Sequence, residues 1–145
     1  MNLNLNELVQ QVNGEFAERF EGRNLDLICI LQPEPLLIRA DSRRIWRVLE
    51  NLYVNVCKYA MPGTRVYVDA IKKDGKIQLS IKNISENPLN FQADELTERF
   101  IRGDVSRSTE GSGLGLSIAK NLTVLQHGSF NIYLDGDLFK VVPMM

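Results

Sequence analysis

The sequence has one histidine and two cysteines in 145 residues, and that scarcity removes several chemistries at once. Cys29 and Cys57 lack C-x-x-C spacing, and a single histidine cannot build the usual zinc clusters. Both cysteines lie inside apolar patterns (LICIL and NVCKYA) and read as reduced core residues. His127 alone gives a hydrolase triad little to work with. GLSIA (115–119) also fails as a nucleophile elbow, because Ala119 stands where the last glycine belongs. Charge of one sign is missing too: 17 Lys plus Arg against 18 Asp plus Glu give a formal net charge of −1. That balance excludes a strongly basic nucleic-acid binder and an acidic disordered tail. No apolar run approaches the ~20 residues that span a bilayer. The opening MNLNLNELVQ has neither the basic start nor the apolar block of a signal peptide.

What is present suits one soluble globular domain. The chain is 44% hydrophobic and 24% charged, without internal repeats or low-complexity stretches. At this length a fold buries roughly 68–70% of the unfolded surface. Leu5, Leu8, Val9, Val12, Phe16 and Phe20 form a helical stripe over 5–21, which Gly22 is expected to end. LDLICIL (25–31) and LLIRA (36–40) read as strands, separated by Gln32-Pro33-Glu34-Pro35, which cannot sit in a sheet ladder. Asp41 or Ser42 caps a second helix carrying Ile45, Val48, Leu49, Leu52, Val56 and Tyr59, and Met61-Pro62-Gly63 stops it. RVYVDAI (65–71) and KIQLSIKN (76–83) read as a hairpin through Lys73-Asp74-Gly75. Residues 84–92 are loop-like, 93–100 suit a short helix, and Arg102 to Ser112 reads as a mobile surface loop. A third helix, from about Leu114 to Gln126, precedes a closing hairpin of 129–134 and 137–142. The expected fold class is α/β: a two-layer sandwich with helices on one face of a mixed, largely antiparallel sheet.

Four segments could carry chemistry. On the second helix Asn51, Asn55 and Lys58 stack at i, i+4 and i+7, flanking the apolar face. Two amides and an ammonium there suit a metal ion and phosphate oxygens, and equally a solvated helix face. Alternation places Asn83 at the end of the core-facing row Ile77, Leu79 and Ile81. A buried amide needs partners, either loop backbone or the polar edge of a ligand. EGSGLGLSIAK (110–120) is a glycine-rich run leading into a helix, where backbone can approach phosphates and the first amides favour anions. It is neither a dinucleotide fingerprint, having Leu116 at the third glycine, nor a Walker loop, having no G-K-[ST]. Arg102, Ser106, Arg107, Ser108 and Thr109 make the preceding loop basic and hydroxyl-rich, as a loop closing over an anion or a merely solvated one would be.

Together these segments resemble the ATP-binding catalytic domain of sensor histidine kinases, in the GHKL superfamily with gyrase, heat-shock ATPases and mismatch-repair ATPases. The resemblance spans 1–145. RRIWRVLENLYVNVCKYA looks like the family's N box, LTERFIRGD like its F box and GSGLGL like its G2 box, in matching order and spacing. It implies the Bergerat ATP-binding fold, Mg-ATP as the bound nucleotide, and transfer of the γ-phosphoryl to a histidine on a separate dimerisation domain. Asn55 would chelate Mg2+, Asn51 and Lys58 would contact phosphates, and Tyr59 would lie near the nucleotide. Arg102 would reach the γ-phosphate. Gly111, Gly113 and Gly115 would shape the hinge of a lid, with Leu89, Ser112, Leu114 and Leu116 also at the ATP. The G1 box departs from the family's Asp-x-Gly-x-Gly: Asn83 replaces the aspartate, and Ser85 and Asn87 the glycines. An asparagine carbonyl still accepts from the adenine amino group, without the charge-assisted bond. The ATP-hydrolysing branches carry a glutamate four residues before the magnesium asparagine, and Asn51 stands there, with Glu50 rotated roughly 100° away. Transfer to an external acceptor is therefore favoured over hydrolysis. A serine kinase of the anti-sigma type and a non-catalytic nucleotide-binding adaptor are the alternatives. The resemblance also implies a response regulator as partner, no nucleic acid, a monomeric isolated domain, and a cytoplasmic location within a membrane-anchored parent. His127, in LQHGSF, would be structural and not the phospho-acceptor.

Overall fold

The computed structural model describes residues 2–87 and 112–145. The expected short helix over 93–100 and residues 102–111 of the expected loop lie outside these. In chain order the elements are β1 (Asn2–Asn4), α1 (Leu5–Gly22), β2 (Asp26–Leu31), β3 (Leu37–Arg39), α2 (Ser42–Tyr59), β4 (Arg65–Lys73), β5 (Lys76–Ile84), α3 (Ser112–Leu125), β6 (Ser129–Asp135) and β7 (Leu138–Met144).

The helices form where stripes and caps coincide. Asn4 caps α1 by accepting from the Asn6 amide at 3.0 Å, and Leu5, Val9, Val12, Phe16 and Phe20 are buried. The helix ends at Gly22, its last residue, as expected. The chain turns two residues further on, at Asn24, whose φ of 55° is left-handed. The Leu25 amide donates to Phe20 O (2.8 Å) and the Asn24 amide to Glu21 O (2.9 Å), a Schellman closure with Phe20 and Leu25 both buried. Asp41 caps α2 through the Arg43 amide at 2.9 Å. Ile45, Val48, Leu49, Leu52 and Val56 are buried as expected.

α3 starts at Ser112, two residues before the expected Leu114, and buries Leu116, Ala119 and Thr123 completely. It closes like α1: His127 has φ 66°, its amide donates to Val124 O (2.9 Å), and the Gly128 amide donates to Thr123 O (3.0 Å). His127 is exposed and contributes its backbone, in line with a structural role. A Cβ on Gly128 would stand 2.2 Å from the Met144 carbonyl oxygen, so the chain passes β7 there only as glycine.

The main sheet runs β2-β4-β5-β7-β6, with β2 parallel to β4 and the other pairs antiparallel. Asp74 (φ 52°) and Gly75 (φ 78°) make the β4–β5 connection, the two consecutive left-handed residues of a type I′ hairpin. β3 pairs with β1 in a separate two-stranded sheet. One face of the main sheet carries Val66, Val68, Ala70, Ile77, Leu79 and Ile81 into the core. Ile30, Tyr67, Ile71 and Tyr133 on the other face are exposed. This is the expected α/β sandwich. Tyr53 ties α1 to α2: its ring stacks on Phe20 (5.7 Å) and meets Phe16 edge-on (5.5 Å). Its hydroxyl donates to Asn13 Oδ1 at 2.5 Å, and burial pushes the phenol pKa up. Both cysteines are free thiols, but only Cys57 is buried; Cys29 is half-buried because β2 is an edge strand. Among the described residues no helix is long and apolar enough to cross a membrane.

Two glycine substitutions should act in opposite directions. Gly14, inside α1 with open space around it, gains helix propensity as alanine, so Gly14→Ala should stabilise by about 0.5–1 kcal/mol. Gly128→Ala must displace backbone and should destabilise by about 1–3 kcal/mol. Urea denaturation of the two variants checks both signs.

Candidate functional site

The site grows from two polar residues set into otherwise apolar rows. Asn55 follows Val48 and Leu52 at helical spacing, so the periodicity that builds the core also buries this carboxamide, which is only 6% exposed. Its Oδ1 is buried and has no hydrogen-bond partner among the described residues. On β5, Ile77, Leu79 and Ile81 face the helices and Asn83 continues that row, 2% exposed, as alternation predicts. Asn83 Oδ1 is likewise buried without a partner. A buried acceptor left unpaired costs about 1–3 kcal/mol, so both oxygens are poised to take a partner from beyond the described residues.

The two amides belong to elements that are tied end to end. Ala60 caps α2 in extended backbone (φ −71°, ψ 141°) and forms an antiparallel bridge with Ser85. The Met61 amide donates to Ile84 O at 2.7 Å and the Glu86 amide to Tyr59 O at 2.8 Å. Ser85 is anchored in turn, its amide donating to Asp137 O and its hydroxyl to Asn87 O, both at 2.7 Å. The last turns of α2 thus join the end of β5 through main-chain bonds. The Arg23 guanidinium also reaches this junction, donating to Ala60 O at 2.7 Å.

The remaining expected residues divide into three groups. Lys58 and Tyr59 are half-buried in the last turn of α2. Asn51 is half-buried on the stripe, with its Nδ2 turned back onto the Arg47 carbonyl of its own helix at 2.8 Å. Glu50 is exposed, off that stripe. Ser112, Gly113, Leu114 and Gly115 make the first turn of α3, whose leading amides have no acceptor within a helix, and Leu116 is fully buried behind them. α3 packs along α2. Leu89, Arg102 and Gly111 lie outside the described residues.

Among the described residues no group of three or more His, Cys, Asp or Glu gathers to hold a metal. Asn55 Oδ1 nonetheless fits a hard cation, being a neutral oxygen with an unused lone pair in a buried place. Magnesium held there would need its other oxygens from a ligand and water. Arg23 and Glu86 at the junction carry no motif, and nothing in the sequence singles them out.

Comparison with known proteins accords with this geometry. Residues 40–140 match the family described as histidine kinase-, DNA gyrase B- and HSP90-like ATPase. The chain is 31% identical over 123 residues to the signal transduction histidine-protein kinase BaeS of Escherichia coli, covering 83% of this chain and 26% of BaeS. It thus spans about a quarter of that relative's length. The catalytic domain of histidine kinase ThkA superposes with a TM-score of 0.86 at 25% identity, covering 100% of this chain and 93% of that one. ThkA in complex with the response regulator TrrA gives 0.75 at 26% identity, covering 99% of this chain and 41% of that one. The chain belongs to the histidine kinase-, DNA gyrase B- and HSP90-like ATPase family, with the fold of a histidine kinase catalytic domain.

Proposed function

We propose that this domain binds Mg-ATP between α2, the end of β5 and the start of α3, and transfers the γ-phosphoryl to a histidine on a separate helical dimerisation domain of its parent protein. The observation that carries the proposal is the pair of buried carboxamide oxygens of Asn55 and Asn83, unpartnered among the described residues, on two elements joined end to end. They suit the two ends of a nucleotide, one favouring a cation at the phosphates and the other a hydrogen-bond donor of the base.

Asn55 would hold magnesium, which offsets phosphate charge when bound. Asn51 and Lys58 would contact the phosphates beside it; Asn51 need only release the Arg47 carbonyl to do so. The backbone of Ser112, Gly113, Leu114 and Gly115 would face the phosphate anion at the α3 N-terminus. Asn83 Oδ1 would accept from the adenine amino group, with Tyr59, Leu89 and Leu116 completing the contacts to the nucleotide. Arg102 would reach the γ-phosphate, and Gly111 would hinge a lid over it. Glu50 is exposed, so the Asn51–Asn55 stripe lacks a carboxylate to activate water, and transfer to a positioned acceptor is the favoured outcome. A response regulator would then draw the phosphoryl group from that histidine, consistent with the ThkA–TrrA complex. The domain would work as a monomeric unit in the cytoplasm, within a membrane-anchored parent.

Mixing the chain with a matching histidine-bearing helical hairpin and γ-labelled ATP should place acid-labile label on the hairpin. Acid-stable label would instead indicate a serine kinase, and no label at all would favour an adaptor. Asn55→Ala should abolish the magnesium-dependent part of ATP affinity, read by titration with and without the metal, while circular dichroism stays unchanged. Arg102→Ala should lower transfer by about 10-fold or more with a smaller loss of ATP affinity, because its contact strengthens as charge shifts in the transition state. Equal losses would make it a plain binding residue.

A further inference from the structure

Arg23 belongs to none of the segments assigned to the nucleotide. It is the C-cap of α1, yet its side chain leaves that helix and spans the junction between α2 and β5. One guanidinium nitrogen donates to Ala60 O at 2.7 Å and lies 3.4 Å from Glu86 Oε2. Ala60 is the residue after Tyr59 at the end of α2, and Glu86 is the second residue beyond β5. A single cation therefore grips both sides of the junction that carries Asn55 on one flank and Asn83 on the other. The cation also sits at a helix C-terminus, where positive charge is favoured.

The pair with Glu86 is solvent-exposed, but the contact with the Ala60 carbonyl is not an incidental surface one. Ala60 is fully buried, so its carbonyl oxygen has little access to water and relies on partners within the chain. Arg23 Nε is itself buried, with no hydrogen-bond partner among the described residues, so the guanidinium stem lies within the junction. Its charge reaches the last turn of α2 as well: burial raises the Cys57 thiol pKa, and the Arg19 and Arg23 guanidiniums act to lower it. Arg23 approaches from α1, whose exit is fixed by the Asn24 closure, so the grip is referred to the core through a third element.

We propose that Arg23 is a positioning residue of the nucleotide site, holding the end of α2 and the end of β5 in the register that spaces Asn55 from Asn83. The role rests on the nucleotide reading above only as far as affinity is concerned; the mechanical part can be tested without ligand. In the 145-residue chain, Arg23→Ala should speed hydrogen exchange of the Met61 and Glu86 amides by about 10-fold, leaving the Ile81 amide inside β5 unchanged. Arg23→Lys, which keeps a donor and the charge, should restore most of that protection. In nucleotide titrations Arg23→Ala should weaken Mg-ATP binding by about 5–10-fold in the otherwise unaltered chain and by less than about 2-fold in an Asn83→Ala background. That non-additivity is what a residue acting through the placement of Asn83 must show. Unchanged exchange at Met61 and Glu86, or the same loss of affinity in both backgrounds, would overturn the assignment. If the unaltered chain bound no nucleotide, the nucleotide reading would fall, and the exchange pattern would still decide the role of Arg23.

Discussion

The site depends on how a helix end and a strand end satisfy each other. The last carbonyls of α2 lack partners within the helix, and the main chain just beyond β5 lies against them. Each supplies the other: Glu86 donates to Tyr59, Met61 donates to Ile84, and Ala60 bridges Ser85. These bonds between backbone groups join the two elements, and the Arg23 guanidinium donating to Ala60 O adds a side-chain tie across them. The carboxamides of Asn55 and Asn83 lie next to this junction.

Both carboxamides occupy positions that the fold would otherwise give to apolar residues. Asn55 continues the Val48–Leu52 row and Asn83 continues the Ile77–Leu79–Ile81 row, each with an oxygen buried and unpaired. Leaving them so costs stability, and a ligand that completes them returns it, which couples binding to folding. Their rigidity comes from the same packing. Tyr53, two residues before Asn55, stacks on Phe20 and meets Phe16 edge-on, clamping α2 to α1.

Much of this was legible in the sequence, because it is encoded in short-range periodicity. The stripes of α1 and α2, the alternation that puts Asn83 on the core face, the Asp41 cap and the type I′ turn at Asp74-Gly75 all follow from local pattern. The features that escaped are those set by tertiary context or by a single backbone angle. Asn24 and His127 are residue types that tolerate a left-handed φ, but nothing local says that these particular ones adopt it. β1 is three residues long and exists only through its pairing with β3. Cys29 sits in an apolar run yet is half-buried, because which strand forms the edge of a sheet is a property of topology. Arg23 acts across 37 residues on Ala60, and no local signal points from one to the other. For the site itself, the Asn51–Asn55–Lys58 stripe was visible, while the junction that joins it to Asn83 was not.

The most direct test of the central claim, that Asn55 and Asn83 are separate anchor points for one nucleotide, is an NMR titration of their side-chain amide resonances. With ATP and a metal chelator, the account predicts that the Asn83 carboxamide shifts while Asn55 changes little. Adding magnesium should then shift Asn55. Resonances that stay in place under both conditions, or an Asn55 response that is complete before any magnesium is present, would contradict it.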